Sequence, residues 1–453
     1  MTKEEIQQQI IQWLQEEDSQ SLQTLLTEML PEDIVDVFYE LKKSQRKKLF
    51  ILLPGEIAAE VLNRMEPEDF EELLGYLNPD QTSEVLEEMS SDDVVDILGE
   101  LPKEKQSAIL NLMDEEGARE VRELLGYEED TAGGIMTKDF IALSKDLTVE
   151  EAIGELRRQA PDAETIYYIY VVDHNGTLVG VVSLRELIIA RADERIENIM
   201  REKVVSVRVD TDQEEVARQV SKYGFLAIPV VDFQNRIIGI VTVDDVFEVI
   251  EEETSEDIAR IAGTVEEMDF EEENVAKRLH SSVRSRLPWL IITLFGGLVS
   301  SSIIRNYEGL LQQEAILAAF MPLLTGMGGN VGTQSSTLTV RALATGQLKS
   351  SQALKNILQE GLVGLLMGAI CGLLIFGATV WIGGTGIIGA LVAFALCANM
   401  ITAATIGTLV PLVFKKIGVD PAVASAPFIS TTIDATGLTI YFGLVTVLLR
   451  SFT

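Results

Sequence analysis

A single carboxylate, Asp434, lies in the middle of a long apolar segment near the C-terminus, PFISTTIDATGLTIYF. A charged side chain at the centre of a bilayer costs about 2.5–3.5 kcal/mol even on insertion scales, so its surroundings must compensate it. No lysine or arginine lies at membrane depth to pair with it. Three alternatives remain: a neutral carboxyl hydrogen-bonded to a neighbour, a proton site, or a site for a metal cation.

The residues around this carboxylate favour the cation. Thr431, Thr432 and Thr436 flank it, and we expect Pro427, after Ala426, to break the helix and free a backbone carbonyl. A site built only from oxygen atoms suits a hard cation. Mg²⁺ fits best, because it keeps most of its waters and needs only one or two carboxylates.

A second apolar segment, MPLLTGMGGNVGTQSSTLTVRALATG, is unusually rich in glycine and polar side chains. Such a sequence is tolerated at membrane depth only if it is packed in protein or lines water. Packing alone explains glycines such as Gly328 and Gly329, but it explains the amides Asn330 and Gln334 less well. We therefore predict that these residues line or support a pore, together with Ala426 and Thr431 of the last apolar segment.

The distribution of charge divides the chain into a strongly acidic part that is expected in water and an apolar part that is expected in a membrane. The net charge is −35, and five acids against seven bases in residues 287–453 leave −37 on residues 1–286. We call residues 1–286 the acidic front. Its charge argues against a nucleic-acid-binding protein, which would carry a basic patch. The rear part predicts an all-α transmembrane domain of five helices, each long enough for a hydrocarbon core of about 30 Å. We place them at about 287–304, 316–343, 357–382, 387–414 and 423–449.

Basic residues predict how these helices are oriented. They cluster before the first span, between the second and third, and between the fourth and fifth. Cytoplasmic loops carry the excess of lysine and arginine, so the acidic front is expected in the cytoplasm and the C-terminus outside. The N-terminal sequence MTKEEIQQQIIQWLQEE also lacks the features of a secretory signal.

The acidic front contains two kinds of repeat. Residues 1–130 repeat, about every 12 residues, a proline or serine, an acidic pair and a helical run, which predicts an all-α stack of short helices. Residues 131–196 and 197–255 form a duplication in which each half reads helix, strand, strand, helix. These α/β halves resemble tandem CBS domains, and residues 256–286 are expected to form a connecting helix to the membrane.

Two pairs of residues end the strand pairs of the CBS units, Ser183 with Glu186 and Thr242 with Asp245. CBS modules use this position for an adenosine ribose, so the resemblance implies that ATP or another adenine nucleotide binds here. A helix N-cap with an acid in its first turn explains the same residues equally well in the first unit.

The sequence gives little support for a zinc-binding protein or an enzyme. Cys371 and Cys397 lie alone in apolar segments, and the two histidines do not cluster. A structural zinc site is therefore not expected. The sequence also lacks the phosphate-binding motif G-x-x-x-x-G-K-[ST], so we do not expect an enzyme.

The order of these parts, with PLLTGMGGNVGTQSSTLTVRALATG and DATGLTIYF, resembles over the whole chain the bacterial magnesium channels of the MgtE family. The resemblance implies a plasma-membrane homodimer that mediates Mg²⁺ influx through one pore, with Asp434 from both subunits binding hydrated Mg²⁺. Two positions depart from the pattern: Thr333 replaces an expected asparagine, and Ala426 replaces a usual glycine. A proton- or sodium-coupled divalent-cation carrier, regulated by nucleotide at the CBS pair, is the alternative.

The resemblance also implies that internal Mg²⁺ closes the pore. Acidic faces repel one another, and divalent ions neutralise such faces most efficiently. The helix between residues 270 and 285 would transmit the closure. The sensing acids that the resemblance implies are Asp92, Asp96, Asp245, Glu248, Glu253, Glu256 and Asp257.

Overall fold

The computed structural model describes residues 3–16, 18–65, 67–99, 101–264, 275–348, 352–382, 385–424 and 426–452. The chain divides into two compact units, Met1–Glu251 and Glu252–Thr453. The first unit contains short helices followed by two small sheets, and the second contains the long apolar helices. This arrangement confirms the predicted fold class.

Short helices fill the first unit as far as residue 124. Pro31 and Pro79 each occupy the first turn of a helix, where a missing backbone N–H loses no hydrogen bond. Leu22, Phe38 and Leu62 are buried in a shared core, because helices this short bury enough apolar surface only by packing together. The helices are α1 (Lys3–Glu16), α2 (Ser19–Glu28), α3 (Pro31–Glu40), α4 (Lys43–Phe50), α5 (Gly55–Asn63), α6 (Pro67–Leu74), α7 (Pro79–Glu87), α8 (Ser91–Gly99), α9 (Lys103–Leu110) and α10 (Glu115–Leu124).

The last of these helices pack differently from the rest. Val94 and Leu98 of α8 and Val121 of α10 share a core with Val216 and Ile228 of the second α/β repeat. The helical repeat is therefore not one uniform stack, since its C-terminal part is built into the neighbouring repeat.

Each α/β repeat forms a three-stranded sheet. In the first, β1 (Ala142–Ser144) pairs in parallel with β2 (Tyr168–Val172), which pairs antiparallel with β3 (Leu178–Ser183). In the second, β4 (Val207–Arg208), β5 (Ala227–Val231) and β6 (Ile237–Thr242) repeat this order. The predicted pattern of helix, strand, strand, helix missed β1 and β4, because strands of two or three residues show no alternation. The helices are α11 (Val149–Gln159), α12 (Leu184–Ile189), α13 (Ile196–Ile199), α14 (Gln213–Tyr223) and α15 (Val243–Ala262).

Five helices of the second unit, among the described residues, are long and apolar enough to cross a membrane. A short helix, α17 (Glu308–Gln313), joins the first two. The five are α16 (Val275–Asn306), α18 (Ile316–Ala344), α19 (Ala353–Trp381), α20 (Gly386–Lys416) and α21 (Ala426–Phe452). Helices α18, α20 and α21 pack around a core that includes Leu324, Val392 and Ile433, while α19 packs mainly on α20.

Two predicted features of this region need correction. The connecting helix and the first span are not separate, because α16 runs unbroken from Val275 through Pro288 to Asn306. The start of the predicted connecting helix, residues 256–262, belongs to the end of α15, and residues 265–274 lie outside the described residues. The last span is not broken by Pro427 either. It begins at Ala426, so the proline lies in the first turn, where it interrupts no hydrogen bond.

Candidate functional site in the membrane helices

The glycines of α18 are where neighbouring helices approach most closely. A Cβ on Gly332 would overlap Ile433 of α21, and one on Gly407 of α20 would overlap the carbonyl oxygen of Gly332. Gly328 and Gly329 are buried in the same way, and a Cβ on Gly329 would lie 3.4 Å from Cβ of Ser430. The glycine-rich sequence is thus explained by close packing of α18 against α20 and α21.

Three buried hydrogen bonds attach α18 to its neighbours. Near its start, Tyr441 Oη of α21 donates to the Leu317 carbonyl at 3.0 Å. In its middle, Asn399 Nδ2 of α20 donates to the Leu324 carbonyl at 2.8 Å. Towards its end, Ser336 Oγ donates to the carbonyl of Ala424, just before α21, at 3.2 Å. These bonds fix α18 at three levels.

Asp434 lies half-buried on α21. The flanking threonines do not compensate its charge, since Thr432 donates to the Phe428 carbonyl at 2.9 Å and Thr436 to the Thr432 carbonyl at 2.9 Å. Among the described residues, no side chain forms a hydrogen bond or ion pair with the Asp434 carboxylate. A carboxylate without a hydrogen bond or ion pair to these side chains is available to bind a cation.

The other predicted pore residues occupy distinct environments. Asn330 and Gln334 are exposed and lie one turn apart on α18. Ala426 is the first residue of α21. Thr431 packs against Gly296 of α16, and its buried hydroxyl finds no hydrogen-bond partner within the described ranges.

Sequence reasoning missed the polar residues that hold these helices. Asn399, Ser336 and Tyr441 were not singled out, although a buried polar side chain in an apolar span signals a contact between helices. Glu360 was also passed over. It lies within the apolar helix α19, and its carboxylate accepts a hydrogen bond from Ser335 Oγ at 2.8 Å.

Two of the predicted sensing acids lie close enough to repel each other in the first unit. Asp92, at the start of α8, is 6% exposed, and in the part of the chain that the structure describes its Oδ1 has no hydrogen-bond partner. Burial, with repulsion from Asp245 and Asp93, raises the pKa of Asp92 well above its usual value. Burial also raises the pKa of Asp245, although Thr242 donates to that carboxylate. A divalent cation bound between two such carboxylates would reduce the repulsion between them.

The remaining predicted sensing acids are more exposed. Asp96 and Glu248 lie on the surfaces of α8 and α15. In the second unit, Arg260 pairs with Glu256 and with Asp420. Burial, with repulsion from Asp420 and then Glu253, raises the pKa of Asp257 to about 6.

These acids do not form a closed metal cage. In the part of the chain that the structure describes, no three His, Cys, Asp or Glu side chains are placed to hold one metal ion. Hydrated Mg²⁺ needs no such cage, because it keeps several waters and is bound through one or two carboxylates.

The predicted nucleotide residues differ between the two CBS units. Ser183 and Glu186 form a capping box at the start of α12, and Arg201 also pairs with Glu186 at 2.7 Å. Thr242 donates its hydroxyl to Asp245 at 2.5 Å. Both acids therefore accept hydrogen bonds from the residue three positions before them, as the N-cap alternative predicts for the first unit, and the ion pair with Arg201 distinguishes that unit.

Comparison with known proteins follows the same division of the chain. Family models match at residues 29–130 (MgtE intracellular N domain), 132–193 and 196–252 (CBS domain), and 321–444 (divalent cation transporter). A magnesium transporter MgtE of Thermus thermophilus is 42% identical over 97% of this chain and 97% of its own length. The chain belongs to the MgtE family. It is thus a member of a family of membrane transporters, as the sequence predicted.

Two further relatives support this membership. The magnesium transporter MgtE of Enterococcus faecalis is 44% identical over 74% of this chain and 73% of its own length. The solved cytosolic domain of the Mg²⁺ channel MgtE in complex with ATP is 48% identical, with a TM-score of 0.51. The matched region covers 53% of this chain and 98% of the solved chain.

Proposed function

We propose that this protein transports Mg²⁺ across the plasma membrane into the cell and that internal Mg²⁺ closes the pathway. The observation that carries the proposal is Asp434, a carboxylate on a membrane helix with no protein partner among the described residues. Because a lone carboxylate is unfavourable in the membrane, a hydrated cation is the natural counter-charge. The magnesium transporters among its relatives support this choice of ion.

The test is Mg²⁺ uptake by liposomes that contain the purified protein with Asp434 replaced by Asn. We expect uptake to fall by roughly 10–1,000-fold, because the variant loses the charge that concentrates the cation. Thr439→Val is the matched control, since Thr439 is exposed on α21 and donates only to the Ala435 carbonyl of its own helix. Unchanged uptake by Asp434→Asn would contradict the assignment.

Closure depends in this proposal on acids that approach one another. Asp92 is buried and lies close enough to Asp245 to be repelled by it, and Mg²⁺ bound between the two carboxylates would relieve that repulsion. A ligand shifts a conformational equilibrium only by its difference in affinity between the states. Acids brought together offer Mg²⁺ a second carboxylate that separated acids lack. The more exposed sensing acids, from Asp96 to Asp257, would add weaker contributions.

The assembly and orientation are also proposals. A homodimer would bring two copies of Asp434 to one pathway and would cover the exposed amides Asn330 and Gln334. The basic residues between the spans favour a cytoplasmic N-terminus and an external C-terminus. Cross-linking of single-cysteine variants at Asn330 in membranes tests the dimer, and reagents that cannot cross the membrane test the orientation of the termini.

ATP is the proposed ligand of the CBS pair, supported by the ATP complex of the related cytosolic domain. Thr242 and Asp245 are the better candidates here, because Glu186 is already paired with Arg201. Calorimetry of the protein with ATP should show binding that Asp245→Asn weakens and Glu186→Gln leaves nearly unchanged. Equal loss in both variants would reject the assignment.

A further inference from the structure

Asn399 has features that the transport proposal does not use. It lies on α20, and its side chain is 1% exposed. Its Nδ2 donates to the Leu324 carbonyl of α18 at 2.8 Å, while its Oδ1 has no hydrogen-bond partner among the described residues. A buried acceptor without a partner is unfavourable, and a leucine of similar shape would avoid that penalty. The amide is therefore explained by its bond to α18.

Two glycines enclose this amide. A Cβ on Gly328 of α18 would lie 2.6 Å from Asn399 Nδ2, and a Cβ on Gly437 of α21 would overlap Asn399 Oδ1. Each glycine lies close in sequence to a proposed pathway residue. Gly328 is two residues before Asn330, and Gly437 follows Asp434 by nearly one helical turn. Asn399 thus lies between the two helices that carry the proposed ion pathway.

We propose that Asn399 is a positioning residue of this pathway. By filling the space between Gly328 and Gly437 and bonding to α18, its amide sets the separation of α18 and α21. That separation fixes where Asp434 stands relative to the amides of α18, and so the size of hydrated cation that the pathway accepts. The inference rests on the proposed function and adds a residue that determines its selectivity.

The experiment measures the ratio of Mg²⁺ to Ca²⁺ uptake by liposomes containing the full-length protein. Asn399→Leu keeps the volume but removes the hydrogen bond, and Asn399→Ala removes both. Thr408→Val is the matched control on α20, since Thr408 is fully buried but donates only to the Ala404 carbonyl of its own helix. We expect the ratio to change by about tenfold in both Asn399 variants, because small displacements at a preorganised site have large effects.

Gly437→Ala, alone and combined with Asn399→Ala, separates positioning from general packing. Alone, the new methyl group meets the amide and should also change the ratio. In the Asn399→Ala background the space is open, so the added methyl group should change the ratio by less than about twofold. Gly443→Ala on the same helix is the control, because among the described residues no atom outside the adjoining helix backbone lies within 4 Å of its Cβ position.

Three results would overturn the inference. The first is a wild-type ratio in both Asn399 variants, and the second is an equal effect of Gly437→Ala in both backgrounds. The third is failure of wild-type protein to take up Mg²⁺, or unchanged uptake by Asp434→Asn, which would reject the proposed function together with this inference. If Asn399→Ala does not elute as a folded species, the ratio in Asn399→Leu decides alone, because that variant keeps the volume and removes only the hydrogen bond to α18.

Discussion

Asp257 shows how a single carboxylate near the membrane domain can respond to its surroundings. It lies close to Asp420, in the turn before α21, and Arg260 pairs with that same aspartate. Burial and the neighbouring acids raise the pKa of Asp257 from 3.8 to about 6. The folded protein therefore binds this proton more tightly than the unfolded chain does.

This shift predicts a pH dependence of stability. The contribution of Asp257 is fully present below pH 3.8 and is lost as the pH rises through about 6. Without divalent ions, the melting temperature of the full-length protein should fall between pH 5 and pH 7, and the fall should be smaller in Asp257→Asn. Asp193→Asn, which alters an exposed surface pair with Arg191, is the control. Identical pH profiles for Asp257→Asn and wild type would count against the raised pKa.

At the scale of elements, packing of α18 against α20 and α21 depends on glycine. Gly407 touches the backbone of Gly332, which cannot move aside as a flexible side chain would. Gly377 of α19, by contrast, has no atom within 4 Å of its Cβ position. The two positions form a matched pair within the same membrane domain.

Gly407→Ala should therefore destabilise the protein, while Gly377→Ala should leave it unchanged or slightly stabilised. Overpacking in a close-packed region costs about 1–3 kcal/mol, whereas alanine at an open helical position stabilises by about 0.4–1 kcal/mol. Thermal unfolding of both variants in the same detergent checks this prediction. A higher melting temperature for Gly407→Ala than for Gly377→Ala would refute the close contact.

The sequence predicted the elements far better than the contacts between them. Long apolar runs mark the membrane helices, and the duplicated runs of helix, strand, strand, helix mark the two α/β repeats, because both signals lie within short stretches of sequence. Thr436 and Asn399 look alike in sequence, each a polar residue in an apolar span. Yet Thr436 bonds to its own helix, and Asn399 bonds to α18. Which helix a polar side chain faces depends on tertiary packing, so the sequence alone could not separate them.

The predicted sensing acids Asp92 and Asp245 illustrate the same limit. The family resemblance brought Asp92 and Asp245 forward from the many acids of the front. The burial of Asp92 follows from the way α8 shares a core with the second CBS unit. The periodicity of the helical repeat did not indicate that shared core, because it reports only on each helix.

At the scale of the whole molecule, the acidic front should set the Mg²⁺ concentration at which transport stops. Replacing Asp92 and Asp245 together by Asn removes the two carboxylates that a bridging Mg²⁺ would contact in the closed state, so more Mg²⁺ should be needed for closure. If the two lost contacts together are worth about 1–2 kcal/mol, the half-inhibiting concentration should rise by roughly 5–30-fold. Uptake at increasing internal Mg²⁺ measures it, with Asp193→Asn as the control. An unchanged concentration would remove these two acids from the sensor.

The central claim is that one protein both conducts Mg²⁺ and is closed by it from the cytoplasmic side. The most direct measurement is Mg²⁺ flux through single-orientation liposomes, with Mg²⁺ varied only on the side of the acidic front and NaCl held at matched ionic strength. We expect flux to fall steeply in the millimolar range of Mg²⁺, while NaCl alone leaves it open, because monovalent ions screen charge but do not bridge carboxylates. Flux that is independent of Mg²⁺ on that side, or that stops equally in NaCl, would contradict the account.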